Sequence, residues 1–199
     1  FREQALRMLT GAGARIAFQL TEEPEKIRDR YGRNEAGQRM LIARRLVEAG
    51  ARFVSLTYAG WDHHVNIMAS VRSQMPAFDQ GYAALISDLS ASGRLDETLV
   101  IAMGEFGRTP KLNTRGGRDH WPRVSCALLA GGGMRNGQAI GATDRLGGEA
   151  KQRPVSFQEL FATLYHNLGI DVNTTTVNDL HGRPQYVVAD EAQPIKELI

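Results

Sequence analysis

Thr98-Leu99-Val100-Ile101-Ala102-Met103 is an unbroken apolar run of strand length. A run that is apolar at every position fits a strand covered on both faces. Upstream, Phe78, Tyr82, Leu85, Ile86 and Leu89 recur at helical spacing, in a helix expected to begin near Pro76 and to end at Gly93. Before it, Arg52 to Tyr58 is β-branched and aromatic and stops at Gly60, which predicts another strand. A helix from Glu35 to Ala49 precedes that, with Ala36, Met40, Ala43 and Val47 on one stripe and Gly50 as its stop. Downstream, Val124 to Ala130 predicts a third buried strand, with Gly131-Gly132-Gly133 as a tight exit. Ser156 to Leu168 is a helix with a Ser156/Glu159 capping box and Gly169 as its stop. Such alternation predicts an α/β fold, a mainly parallel sheet with helices on both faces in which the strands near Arg52, Thr98 and Val124 are neighbours. The first thirty residues predict a helical stretch, followed by a charged segment from Glu22 to Arg33 that covers one end of the sheet.

Composition narrows the function classes. The 199 residues suit one domain with a sizeable core, and 24 basic against 22 acidic residues leave a formal charge of +2. No basic excess is present to drive phosphate-backbone binding, so nucleic acid is not expected as a partner. No apolar run approaches the roughly 20 residues of a membrane helix, so no membrane span is expected. The single Cys126 excludes an internal disulfide and reads as a small core residue. Phe1 in place of an initiator Met suggests a processed or truncated piece of a longer protein.

In open α/β sheets ligands bind beyond the carboxyl ends of the strands. The segments beside the expected strands are Gly60-Trp61-Asp62-His63-His64, Gly104-Glu105-Phe106-Gly107-Arg108-Thr109 and Gly117-Arg118-Asp119-His120-Trp121. Carboxylates and imidazoles at one sheet edge, with no sulfur, form a ligand set for Zn²⁺ or Mn²⁺. Asp62, His64, Glu105, Asp119 and His120 are the candidate metal ligands. Arg108 and Arg118 are the candidate catalytic residues, because a guanidinium can hold a phosphate or sulfate oxyanion through two parallel hydrogen bonds. The same residues also fit plain structural roles. In that reading His63 or His120 caps a strand, Glu105 is a turn carboxylate, and the arginines are its solvated partners. His166 reads as structural and His181 as a turn residue. The glycine run lacks the Lys-Ser/Thr ending of a P-loop.

At these residues the chain resembles the bacterial domain-of-unknown-function 1501 family, described as sulfatase-like and grouped with the alkaline phosphatase superfamily. The carrying segments include Arg28-Asp29-Arg30-Tyr31-Gly32, Gly60-Trp61-Asp62-His63-His64, Gly104-Glu105-Phe106-Gly107-Arg108-Thr109-Pro110 and Gly117-Arg118-Asp119-His120-Trp121-Pro122, and the likeness covers nearly the whole chain. The resemblance implies the C-terminal part, residues 1–199, of one alkaline phosphatase-like domain whose missing N-terminal part carries the nucleophile. It further implies a divalent metal, a small phosphate or sulfate ester as substrate, and a periplasmic or extracellular location. Asp62 with His64, Glu105 with Phe106, and His120 resemble the superfamily's ligand positions. Phe106 departs from it, standing where a ligating His is usual, and Asp62 and His64 are closer in sequence than the superfamily has them. Two functions follow: a metal-dependent hydrolase of phosphate or sulfate esters, or a non-catalytic binding or cell-surface protein that has lost part of the metal site.

Overall fold

The computed structural model describes residues 11–189 and 191–199. The part of the expected N-terminal helical stretch within residues 1–10 lies outside them. Two compact units divide the chain, Phe1–Ser92 with Asn113–Gly117, and Gly93–Leu112 with Arg118–Ile199. Among the described residues there are five α-helices and four antiparallel two-stranded sheets. This overturns the expected mainly parallel, alkaline phosphatase/sulfatase-like sheet with helices on both faces.

The described regular structure of the first unit is helical: α1 (Ala12–Ala17), α2 (Glu25–Tyr31), α3 (Glu35–Glu48) and α4 (Ile67–Ala91). The Asn34 side chain accepts the Gly37 amide and so opens α3, and Gly50 takes a left-handed φ of 91° just after its end. α4 begins nine residues before Pro76, which therefore lies inside the helix instead of starting it. Arg52 to Tyr58, expected to be a strand, forms no strand, because no backbone among the described residues completes a ladder with it. The charged segment from Glu22 to Arg33 consequently packs with helices, not against a sheet end.

Contact between α3 and α4 depends on two glycines. A Cβ on Gly81 would lie 3.1 Å from the Gly37 Cα and 3.0 Å from the Met40 sulfur. One on Gly37 would meet the Tyr31 carbonyl at 2.0 Å. Beneath this contact Tyr31, Leu41 and Leu89 are almost wholly buried. Around it lies a charged cluster in which Glu23 receives Arg44 at 2.6 Å and Arg45 at 2.5 Å, while Asp88 pairs with Arg30 and, at 3.5 Å, with Arg44. Burial, reinforced by the adjacent Asp88 carboxylate, pushes the Tyr31 phenol up and keeps it protonated. Arg45 also donates to the Ala17 and Ile16 carbonyls at the end of α1.

The second unit holds all eight strands found among the described residues. β1 (Val100–Met103) pairs antiparallel with β4 (Ala127–Ala130), Val100 opposite Ala130, so the two apolar runs are neighbours running in opposite directions. Their connection contains β2 (Gly107–Arg108) and β3 (His120–Trp121), whose own pairing turns the chain back on itself. β5 (Ala142–Thr143) pairs with β6 (Ala150–Gln152), and β7 (Thr176–Asn178) with β8 (Pro184–Tyr186). Between these hairpins α5 (Phe157–Asn167) carries the expected Ser156/Glu159 capping box, with Gly169 just beyond it at a φ of 72°. Gly131 to Gly133 all take positive φ immediately after β4, as a tight strand exit requires. Cys126, expected to be in the core, is exposed.

Arg153 grips Glu197 through two hydrogen bonds of 2.7 and 3.1 Å and Glu159 through one of 2.7 Å, tying the C-terminal segment to the start of α5. The Arg153 guanidinium holds the Glu197 carboxyl down at about 2. Its folded pKa being depressed, Glu197 stabilises the fold above its ordinary value near 4.5, and that contribution is lost as pH falls toward about 2. Thermal unfolding of wild type and Glu197→Gln against pH should show a gap above pH 4.5 that closes over this window; a gap independent of pH would rule out the linkage. Gly37→Ala should destabilise the first unit by about 2 kcal/mol or more, through the forced Tyr31 contact, as measured by denaturant unfolding. A neutral result would show that α3 tolerates a side chain there.

Candidate functional site

In the first unit the candidate residues sit on the link from the extended segment to α4. Successive bonds from the His63 amide to the Trp61 carbonyl and from the His64 amide to the Asp62 carbonyl wind the link tightly. This brings Asp62 Oδ1 and His64 Nε2 to 3.0 Å, with the Asp62 side chain exposed and that of His64 one-third exposed. An aromatic series supports the turn. Trp61 meets Tyr58 edge-on at 5.6 Å and Phe78 of α4 at 6.2 Å, and Phe78 stacks on Tyr82 at 5.6 Å. His63 points elsewhere, its Nε2 lying 2.7 Å from Gln74 Oε1.

The segment 113–117 is built into the same unit. Asn113 Oδ1 accepts the amides of Arg115 and Gly117, each at 3.0 Å, while its Nδ2 donates to the His64 carbonyl at 3.0 Å. Val65 and Gly116 form an antiparallel bridge, and a Cβ on Gly117 would lie 2.0 Å from the His64 carbonyl carbon. The backbone carrying His64 is thereby fixed on both sides.

In the second unit the short β2–β3 pair places Arg108 opposite His120. Directly opposed residues share one face of an antiparallel pair, and a residue two positions away lies diagonally on that face. Phe106 occupies this diagonal position, its ring centroid 4.4 Å from that of His120. Phe106 thus packs on the imidazole. Arg108 lies 6.0 Å from the Phe106 ring and donates to the Arg118 carbonyl at 3.3 Å. Arg118 turns inward instead, its Nη1 holding the Thr109 and Pro110 carbonyls at 2.5 and 2.6 Å. Thr109 accepts the Asp119 amide through Oγ1 and donates its own amide to the Asp119 carbonyl. Glu105 is exposed in the turn before β2. On the opposite face Trp121 donates to the Gly148 carbonyl at 2.8 Å, and Asp144 accepts the Gly148 amide at 2.8 Å within the turn that presents it. A Cβ on Gly107 would reach the Val124 carbonyl at 2.0 Å, so the hairpin closes only around glycine there.

Of the candidate residues, Asp62 and His64 are joined within the first unit, while Glu105, Arg108, Arg118, Asp119 and His120 all belong to one hairpin of the second. Two residues that hold this arrangement, Gln74 and Asn113, were not singled out in the sequence. Asn113, three and four residues before Gly116-Gly117, does carry the marks of an Asx turn, whereas Gln74 is one of several polar residues on a helix.

These local structures occur in a chain matched over residues 1–199 by the family model described as "Protein of unknown function (DUF1501)", and the chain belongs to that family. Searches of curated proteins and of solved structures found no match. Among the described residues no helix is long and apolar enough to cross a membrane.

Asn113→Ala removes the acceptor shared by two amides, a loss of about 1–2 kcal/mol locally. Amide exchange at Arg115 and Gly117 should accelerate by roughly tenfold or more, read by NMR; unchanged protection would mean the turn is held by other bonds.

Proposed function

We propose that the chain supplies ligands to a divalent-metal site, Zn²⁺ or Mn²⁺, serving hydrolysis of a small phosphate or sulfate ester. The observation that carries this reading is the Asp62–His64 pair. A carboxylate oxygen and an imidazole nitrogen 3.0 Å apart are two donor atoms of the kind a divalent cation takes. Two ligands of a tetrahedral zinc, each about 2.05 Å from the ion, stand about 3.3 Å apart, so the pair needs to open only slightly. His120 is the proposed third ligand. It follows Gly117 by three residues in the chain. Glu105 and Asp119 are the carboxylates at hand on the same hairpin.

A cation so held would polarise an ester oxygen and acidify bound water. Arg108, on the His120 face of the hairpin, suits the oxyanion. Arg118 suits it less, since its Nη1 already holds two backbone carbonyls. Phe106 contributes by fixing the plane of the His120 ring. Likeness to sulfatases and alkaline phosphatases rests on these motif positions, and export to the periplasm or beyond is part of the same proposal. A second reading, a non-catalytic binding protein, is favoured by one observation: Phe106 offers no ligand where the superfamily pattern has a His.

The test is elemental analysis and chelator-dependent thermal stability of the full chain as wild type, His120→Ala and His166→Ala, with hydrolysis of p-nitrophenyl phosphate and sulfate measured alongside. His120→Ala should lose most of the bound metal, while His166→Ala, on the exposed side of α5, keeps it. Metal retained by His120→Ala would remove His120 from the ligand set. Metal bound by the full-length protein without turnover of either ester would favour the second reading.

A further inference from the structure

Gln74, on the second full turn of α4, touches both ends of the loop that carries the Asp62–His64 pair. Its Oε1 lies 2.7 Å from His63 Nε2, and its Nε2 donates to the Ala59 carbonyl at 3.3 Å. An amide has one acceptor end and one donor end. With the donor end on Ala59, the acceptor end faces His63, and neutral His63 must carry its proton on Nε2. Between these contacts lies Gly60. It takes a φ of 93°, and a Cβ built on it would lie 2.6 Å from Gln74 Nε2. The glycine thus permits both the left-handed bend and the close approach of the amide.

We infer that Gln74 is a positioning residue for the Asp62–His64 pair, acting by clamping residues 59–63 and fixing the tautomer of His63. The inference rests on the proposed metal site for its functional meaning, while the clamp stands on hydrogen bonds within the first unit. The covalent path is short. His63 is flanked directly by Asp62 and His64, so a rotation at His63 changes the separation of the two proposed ligand atoms.

The experiment compares wild type, Gln74→Met and Gln74→Glu in the full chain. It reads the ¹⁵N shifts of the His63 imidazole without metal, and the Co²⁺ affinity and visible spectrum with it. Methionine keeps the volume and the helix propensity but neither hydrogen bond. Glutamate keeps the acceptor for His63 and loses the donor to Ala59. Gln74→Met should release the His63 tautomer to a mixture and weaken Co²⁺ binding by about tenfold or more, the usual effect of removing an outer-shell partner. Gln74→Glu should restore the Nε2–H tautomer and recover part of the affinity. A His63 tautomer unchanged in Gln74→Met overturns the clamp. A released tautomer with wild-type Co²⁺ affinity and spectrum overturns the positioning role. If wild type binds no Co²⁺, the proposed metal site falls and this inference falls with it as a statement about ligands, whatever the tautomer shows about the clamp.

Discussion

The first unit depends on the absence of a side chain at residue 37. Only a glycine lets the start of α3 pass over the Tyr31 carbonyl, and only then can Gly81 bring α4 against the same surface. Close approach of two helices through small residues leaves little room for apolar side chains between them. Part of the surrounding packing is therefore ionic, with Glu23 and Asp88 each shared by two arginines. Such shared carboxylates couple α2, α3 and α4 to one another, and losing one partner leaves a poorly solvated charge behind.

From α4 the same rigidity extends to the candidate site. Phe78 and Gln74 lie one turn apart on that helix and hold opposite parts of the Gly60 loop, the first through Trp61 and the second through His63. Helices are better platforms than loops for fixing ligand geometry, because their backbone is already ordered by its own hydrogen bonds. In the second unit a two-residue ladder does comparable work for His120, helped by the indole anchor of Trp121 on the opposite face.

Helices with local punctuation were legible in the sequence. The Ser156/Glu159 box and Gly169 bounded α5, and Gly50 bounded α3, because capping is decided within a few residues. Strand partnership is not local. The apolar run ending at Met103 and the one ending at Ala130 were recognisable as strands, but apolarity carries no direction, and their parallel assignment failed. Gly107 and Trp121, in the connection, reverse the chain. Pro76 misled because proline suits the first turn of a helix, while α4 accepts it well inside. The candidate-site chemistry was legible as residue types. The bonds that orient them, from Gln74 and Asn113, come from amide side chains with no distinguishing pattern of charge or period.

The segment from Phe53 to Tyr58 is six residues of β-forming sequence with no charge, glycine or proline, and it joins no described sheet. Phe53 and Leu56 are exposed along it. Uncharged sequence of this composition is what cross-β stacking recruits, although the Thr57 carbonyl is already held by Arg39. Arg52 beside it is the nearest charge along the chain, and like charges stacked in register resist such growth. Colloidal stability of the chain at high concentration is therefore expected to depend in part on this stretch and its flanking cation, apart from any role of the neighbouring loop in chemistry.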